Sequence, residues 1–99
     1  MKADTYSTLM AEVTAYLDGD LDFARFELQF DRLFSEDLDL DEMTMAEFDA
    51  IEAIHDQLSW TTAPEPDAES RSYGYVSVAE FRSWMMEAVK TAPRRKRAP

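Results

Sequence analysis

The sequence predicts an all-α fold: a small antiparallel four-helix bundle with a long loop between its third and fourth helices. Three observations carry that expectation. Apolar residues recur with a 3.6-residue period in four segments, neither the two glycines nor the four prolines interrupt a long periodic stretch, and alternating strand patterns are missing. At 99 residues the chain is the size of one small domain, and 45% hydrophobic residues supply a core without disulfide staples.

The first helix is expected near residues 5–18. Its stripe is Tyr6, Leu9, Met10, Val13, Tyr16 and Leu17, and Gly19 stands where a helix C-cap favours glycine. The second, near 22–35, has Asp22 as N-cap, Leu21 and Phe26 as a hydrophobic staple, and Phe23, Phe26, Phe30, Leu33 and Phe34 as its apolar face. The third, near 45–60, opens on a capping box, Thr44-Met45-Ala46-Glu47, in which hydroxyl and carboxylate satisfy each other's orphan amides. Phe48, Ile51, Ile54 and Leu58 form its stripe, which runs out at Trp60. A second capping box, Ser77-Val78-Ala79-Glu80, opens the fourth helix near 78–90, with Val78, Phe81, Trp84, Met85, Ala88 and Val89 inward and Pro93 beyond its end.

A short turn joins the first two helices and makes them neighbours, while an acidic loop, Glu36 to Met43, joins the second and third. Residues 61–76, with Pro64, Pro66 and Gly74, read as one long irregular loop, and loops of this length in small domains are usually functional or disordered. The expected organisation is a domain over 1–90 followed by a basic, disordered tail over 91–99.

Charge narrows the function. Residues 1–90 hold 21 acids against 6 bases, a net −15, while Arg94, Arg95, Lys96 and Arg97 crowd the last six positions and bring the whole chain to −11. Such a body repels a phosphate backbone, so direct nucleic-acid binding is not expected and a basic partner is. A plain solubilising surface has the same composition. Without cysteine there is no disulfide framework, thiolate metal site or cysteine nucleophile. No apolar run approaches a membrane span and no signal segment opens the chain, so a soluble, cytoplasmic protein is expected.

The residues give little purchase for chemistry. A calcium loop started at Asp37 puts Glu42 at the glycine position and Phe48 at the bidentate glutamate position, and one started at Asp18 fails in the same way with Phe23 and Gln29. His55, the only histidine, lies beside Glu52 and Asp56 on the third helix, but the spacings assemble neither HExxH nor a Ser-His-Asp set. A helix-surface or half-buried structural histidine is the expectation. No phosphate-cradling glycine loop exists, and neither a cofactor, a metal nor a catalytic residue is assigned.

The long loop is the stronger candidate. Tyr73 and Tyr75 sit where no large core group is needed, and tyrosine is a favoured interface residue. Asp56, Glu65, Asp67 and Glu69 form an acidic rim around them, opposed only by Arg71. Pro66 stiffens the chain between Glu65 and Asp67, so both carboxylates are expected to point outward, and their reversal to leave the fold unchanged. The plainer alternative is a solvated loop with Tyr73 pinned on the bundle.

Glu65-Pro66-Asp67-Ala68-Glu69, followed by Arg71, Tyr73 and the capped Ser77-Val78-Ala79-Glu80-Phe81-Arg82, resembles the colicin D immunity proteins, within the wider group of bacterial self-protective colicin-like immunity proteins. Leu21-Asp22-Phe23-Ala24-Arg25-Phe26-Glu27 resembles their N-terminal half, and the likeness spans roughly residues 5–90. It implies a four-helix bundle that binds a cognate nuclease toxin one to one. The toxin would be a transfer-RNA nuclease, whose basic active site the inhibitor blocks with acids that imitate nucleic-acid charge. By motif, Glu65 and Asp67 would face the toxin, with Asp56 aligned loosely. Thr61 to Pro64 and the basic tail depart from the family's pattern. Two readings compete with it: a helical adaptor for a basic or amphipathic peptide, and an enzyme using clustered carboxylates or His55.

Overall fold

A computed structural model describes residues 5–93, so the basic cluster Arg94–Arg97 lies outside the described residues. The chain is mainly helical: α1 (Thr5–Leu17), α2 (Phe23–Glu36), α3 (Met45–Ser59), a short α4 (Ala68–Ser72) and α5 (Val78–Thr91). Two strands of two residues, β1 (Thr61–Thr62) and β2 (Val76–Ser77), pair in parallel with Thr61 opposite Val76.

The helix starts follow their local chemistry. Asp22 accepts the Arg25 amide at 2.8 Å and caps α2. Thr44 and Glu47 complete a reciprocal capping box on α3, as Ser77 and Glu80 do on α5. At the end of α1 the chain reverses through Gly19 at φ 87°, a conformation that disfavours any side chain with a Cβ. A 3₁₀ turn, Leu40–Glu42, capped by Asp39, interrupts the acidic loop.

The stripes converge on one core. Leu9, Val13, Phe26, Phe30, Ile51, Ile54, Phe81 and Met85 are fully buried, with Tyr6, Tyr16 and Leu58 nearly so. Tyr16 stacks on Phe26 at 4.9 Å, and Phe26 meets Phe81 at 6.1 Å, so α1, α2 and α5 share an aromatic centre. α1 packs on α2 and α3, and α3 on α5. The ends are tied by polar contacts. Thr5 donates to the Asp37 carbonyl at 2.9 Å, joining the start of α1 to the end of α2, and the Tyr6 hydroxyl donates to the Pro93 carbonyl. Arg82 donates to the carbonyls of Tyr16 (3.0 Å) and Leu17 in the last turn of α1, the first of which also accepts the Gly19 amide, and its guanidinium lies 5.5 Å from the Tyr16 ring.

The expected irregular loop over 61–76 is corrected. Residues 61–77 hold α4 and both strands, so the helices number five among the described residues. The strands were invisible to periodicity because two residues cannot alternate. α4 was invisible because it buries none of its five residues and has no apolar stripe. Among the described residues no helix is long and apolar enough to cross a membrane.

Candidate binding surface

The segment from Thr61 to Ser77 leaves the end of α3 and returns beside it. The Trp60 carbonyl accepts the Val76 amide at 2.9 Å, and the β1–β2 pairing closes the base of the excursion. Inside, Pro66 is buried, and Asp67 caps α4 by accepting the Ser70 amide at 2.8 Å. Hydrogen bonds from Ser70, the amide foremost, hold the Asp67 carboxyl below the usual carboxylate range.

Arg71 ties the excursion together. It donates to Glu65 at the entry and, at 2.6 Å, to Glu80 in the first turn of α5. Glu80 also accepts the Ser77 amide in its capping box, so one carboxylate serves both the box and the clasp. Arg71 first, and then the Ser77 amide, lower the Glu80 carboxyl's pKa. Glu65 and Asp67 are therefore not both idle, outward carboxylates. Glu65 is exposed but ion-paired, and Asp67 is a cap, so reversing both charges also costs local structure. The expectation that this reversal leaves the fold untouched is corrected on that ground.

The two tyrosines have different environments. Tyr73 is 66% exposed at the C-cap of α4 and is not pinned on the core. Tyr75 is half-buried against Trp60, with ring centroids 5.0 Å apart. Gly74 between them adopts φ 103°, and a Cβ placed on it would touch the Trp60 ring at 4.0 Å. Trp60, 40% exposed, is thus an aromatic member of this surface, although its sequence position puts it at the end of a core stripe. Its position two residues past Leu58 was the available signal. Glu69 is exposed in the first turn of α4.

Asp56 stands apart. It lies exposed on α3 and lines a shallow hollow with Phe34, Asp49, Glu52, His55 and Ser59, a set containing no residue of the excursion. His55 is half-buried, its ring flat on Phe34 at 4.1 Å and its Nε2 2.9 Å from Asp31 Oδ1, which ties α3 to α2. Among the described residues no three His, Asp or Glu side chains gather to hold a metal ion. The excursion thus offers exposed carboxylates beside two tyrosines and a tryptophan on a backbone fixed at both ends, an arrangement suited to binding a cationic surface. No family model, curated protein or solved structure matches this chain.

Proposed function

We propose that this protein is an immunity protein that binds a cognate bacterial nuclease toxin one to one and blocks its basic active site with carboxylates in place of nucleic-acid phosphates. The observation that carries the reading is the imbalance of charge together with its availability. Residues 1–90 carry a net −15, and four of the five Lys and Arg residues between 5 and 93 are already engaged within the chain. A nuclease that grips RNA surrounds its cleft with Lys and Arg, which carboxylates satisfy through charge-assisted hydrogen bonds. In this reading α1, α2, α3 and α5 serve as the antiparallel four-helix bundle the resemblance implies, with α4 carried on the connection. Glu65, Asp67, Glu69, Tyr73 and Tyr75 face a transfer-RNA nuclease, with Asp56 at the margin. The protein acts in the cytoplasm, where newly made toxin must be intercepted, and performs no catalysis itself.

The test is a pull-down with the product of the neighbouring gene, followed by a nuclease assay with and without this protein. Stoichiometric capture and inhibition support the reading, whereas capture with undiminished nuclease activity leaves only an adaptor. Tyr73 is the cleanest probe of the surface because it is exposed and caps nothing with its side chain. Tyr73→Ala should leave stability within about 0.5 kcal/mol of the parent and weaken toxin binding at least about tenfold. Unchanged affinity would remove the excursion from the interface.

A further inference from the structure

α2 carries one large apolar side chain out of phase with its buried stripe. Leu28 stands two residues from both Phe26 and Phe30, and where those rings are fully buried it is 69% exposed. It borders a groove between α2 and α3 that also includes Glu27, Asp31 and His55 and reaches the nearly buried Leu58. The groove shares His55 and Ser59 with the neighbouring hollow that holds Asp49, Glu52 and Asp56, so the two depressions adjoin at these residues. Neither depression is lined by a lysine or an arginine.

We propose that this surface docks a basic amphipathic segment of a protein partner, one that presents a leucine-like side chain beside lysines or arginines. Leu28 offers the apolar contact that gives affinity, above a groove floor closed by the nearly buried Leu58, and the five carboxylates around it choose the sign of the partner's charge. A second copy of the chain is disfavoured as the occupant, because it brings the same excess of acids at −11 net. A helix laid along a groove meets both requirements at once, its apolar stripe inward and its cations at the rims. The inference goes beyond the immunity reading, shares only Asp56 with it, and does not depend on it.

The experiment uses the full chain and a synthetic helix-forming peptide with leucines at helical spacing and lysines elsewhere, followed by NMR shift perturbation. Shifts should concentrate at Leu28, His55 and Leu58. Leu28→Asp should weaken binding about tenfold or more through loss of apolar burial, while Leu40→Asp, at another exposed leucine, should leave it unchanged. Shifts spread evenly over the acidic surface, or equal binding by a peptide with serines in place of leucines, would reduce the interaction to charge alone and overturn the proposal. So would a self-associated chain that Leu28→Asp renders monomeric. No toxin enters the assay, so its failure and a failure of the immunity reading are separate results.

Discussion

Phe30 is completely buried, packed between the rings of Phe26 at 5.3 Å and Phe34 at 6.5 Å. Truncation leaves a cavity the neighbouring rings fill only in part, so Phe30→Ala should destabilise the protein by about 3–5 kcal/mol, measured by denaturant unfolding. A loss under about 1 kcal/mol would mean that the ring is not part of the core. Asp67 makes a different kind of contribution, because its value depends on ionisation. Its folded-state pKa is depressed by the Ser70 hydrogen bonds, so its stabilisation is complete above the ordinary carboxylate range and is lost as pH falls through the lowered value. Asparagine also caps helices but does not titrate there. The parent should therefore melt above Asp67→Asn near about pH 7, and the gap should close as pH falls below the ordinary carboxylate range. A gap independent of pH would show that the Asp67 carboxylate is not the acceptor.

The excursion between α3 and α5 is an element whose order rests on a few contacts. α4 buries no side chain, the strands are two residues each, and Arg71 bridges entry and exit. Short helices without a packed face are marginal by themselves, so the clasp and the Asp67 cap have an outsized share in holding the surface in one shape. Arg71→Ala should speed hydrogen exchange at the Val76 amide, which bonds to Trp60, while the amides of Ile51 and Ile54 in α3 keep their protection. Equal acceleration in α3 would mean that Arg71 supports the whole fold rather than this element. In the proposed function, ordering the excursion beforehand lowers the entropy lost on binding the toxin.

For the molecule as a whole, a net −15 over residues 1–90 sets a long-range field. Facing a basic cleft, it should accelerate encounter by orders of magnitude, and added salt screens it over distances that shrink from about 30 Å at 0.01 M to about 3 Å at 1 M. Association with a toxin of the proposed kind should therefore slow strongly across that range while dissociation changes much less, measured by stopped-flow mixing or surface binding. An association rate indifferent to salt would sink steering as the mechanism. Steering also separates the roles of the acids. The Glu36–Glu42 loop itself contains no aromatic residue, so reversing Asp39 and Asp41 should act mainly on the rate of encounter.

The sequence by itself determined the four longer helices, the three capped starts and the core that they enclose. Each is written in local chemistry: a period of 3.6, or a hydroxyl three residues before a carboxylate. Phe26, Phe30 and Phe81 were legible as core because their spacing leaves them no other face. What only the tertiary structure decided lies between Thr61 and Ser77. β1 and β2 are 15 positions apart and pair only because α3 and α5 bring their ends together, and no pattern within two residues records that meeting. The same holds for Arg71, which in sequence opposes an acidic rim but in space clasps Glu65 and Glu80, and for Trp60, whose half-exposed ring is covered by Tyr75 rather than by the core. Leu28 could be read as off its stripe, but whether a neighbouring helix covers it is set by how α2 and α3 pack, and that packing leaves it in the open.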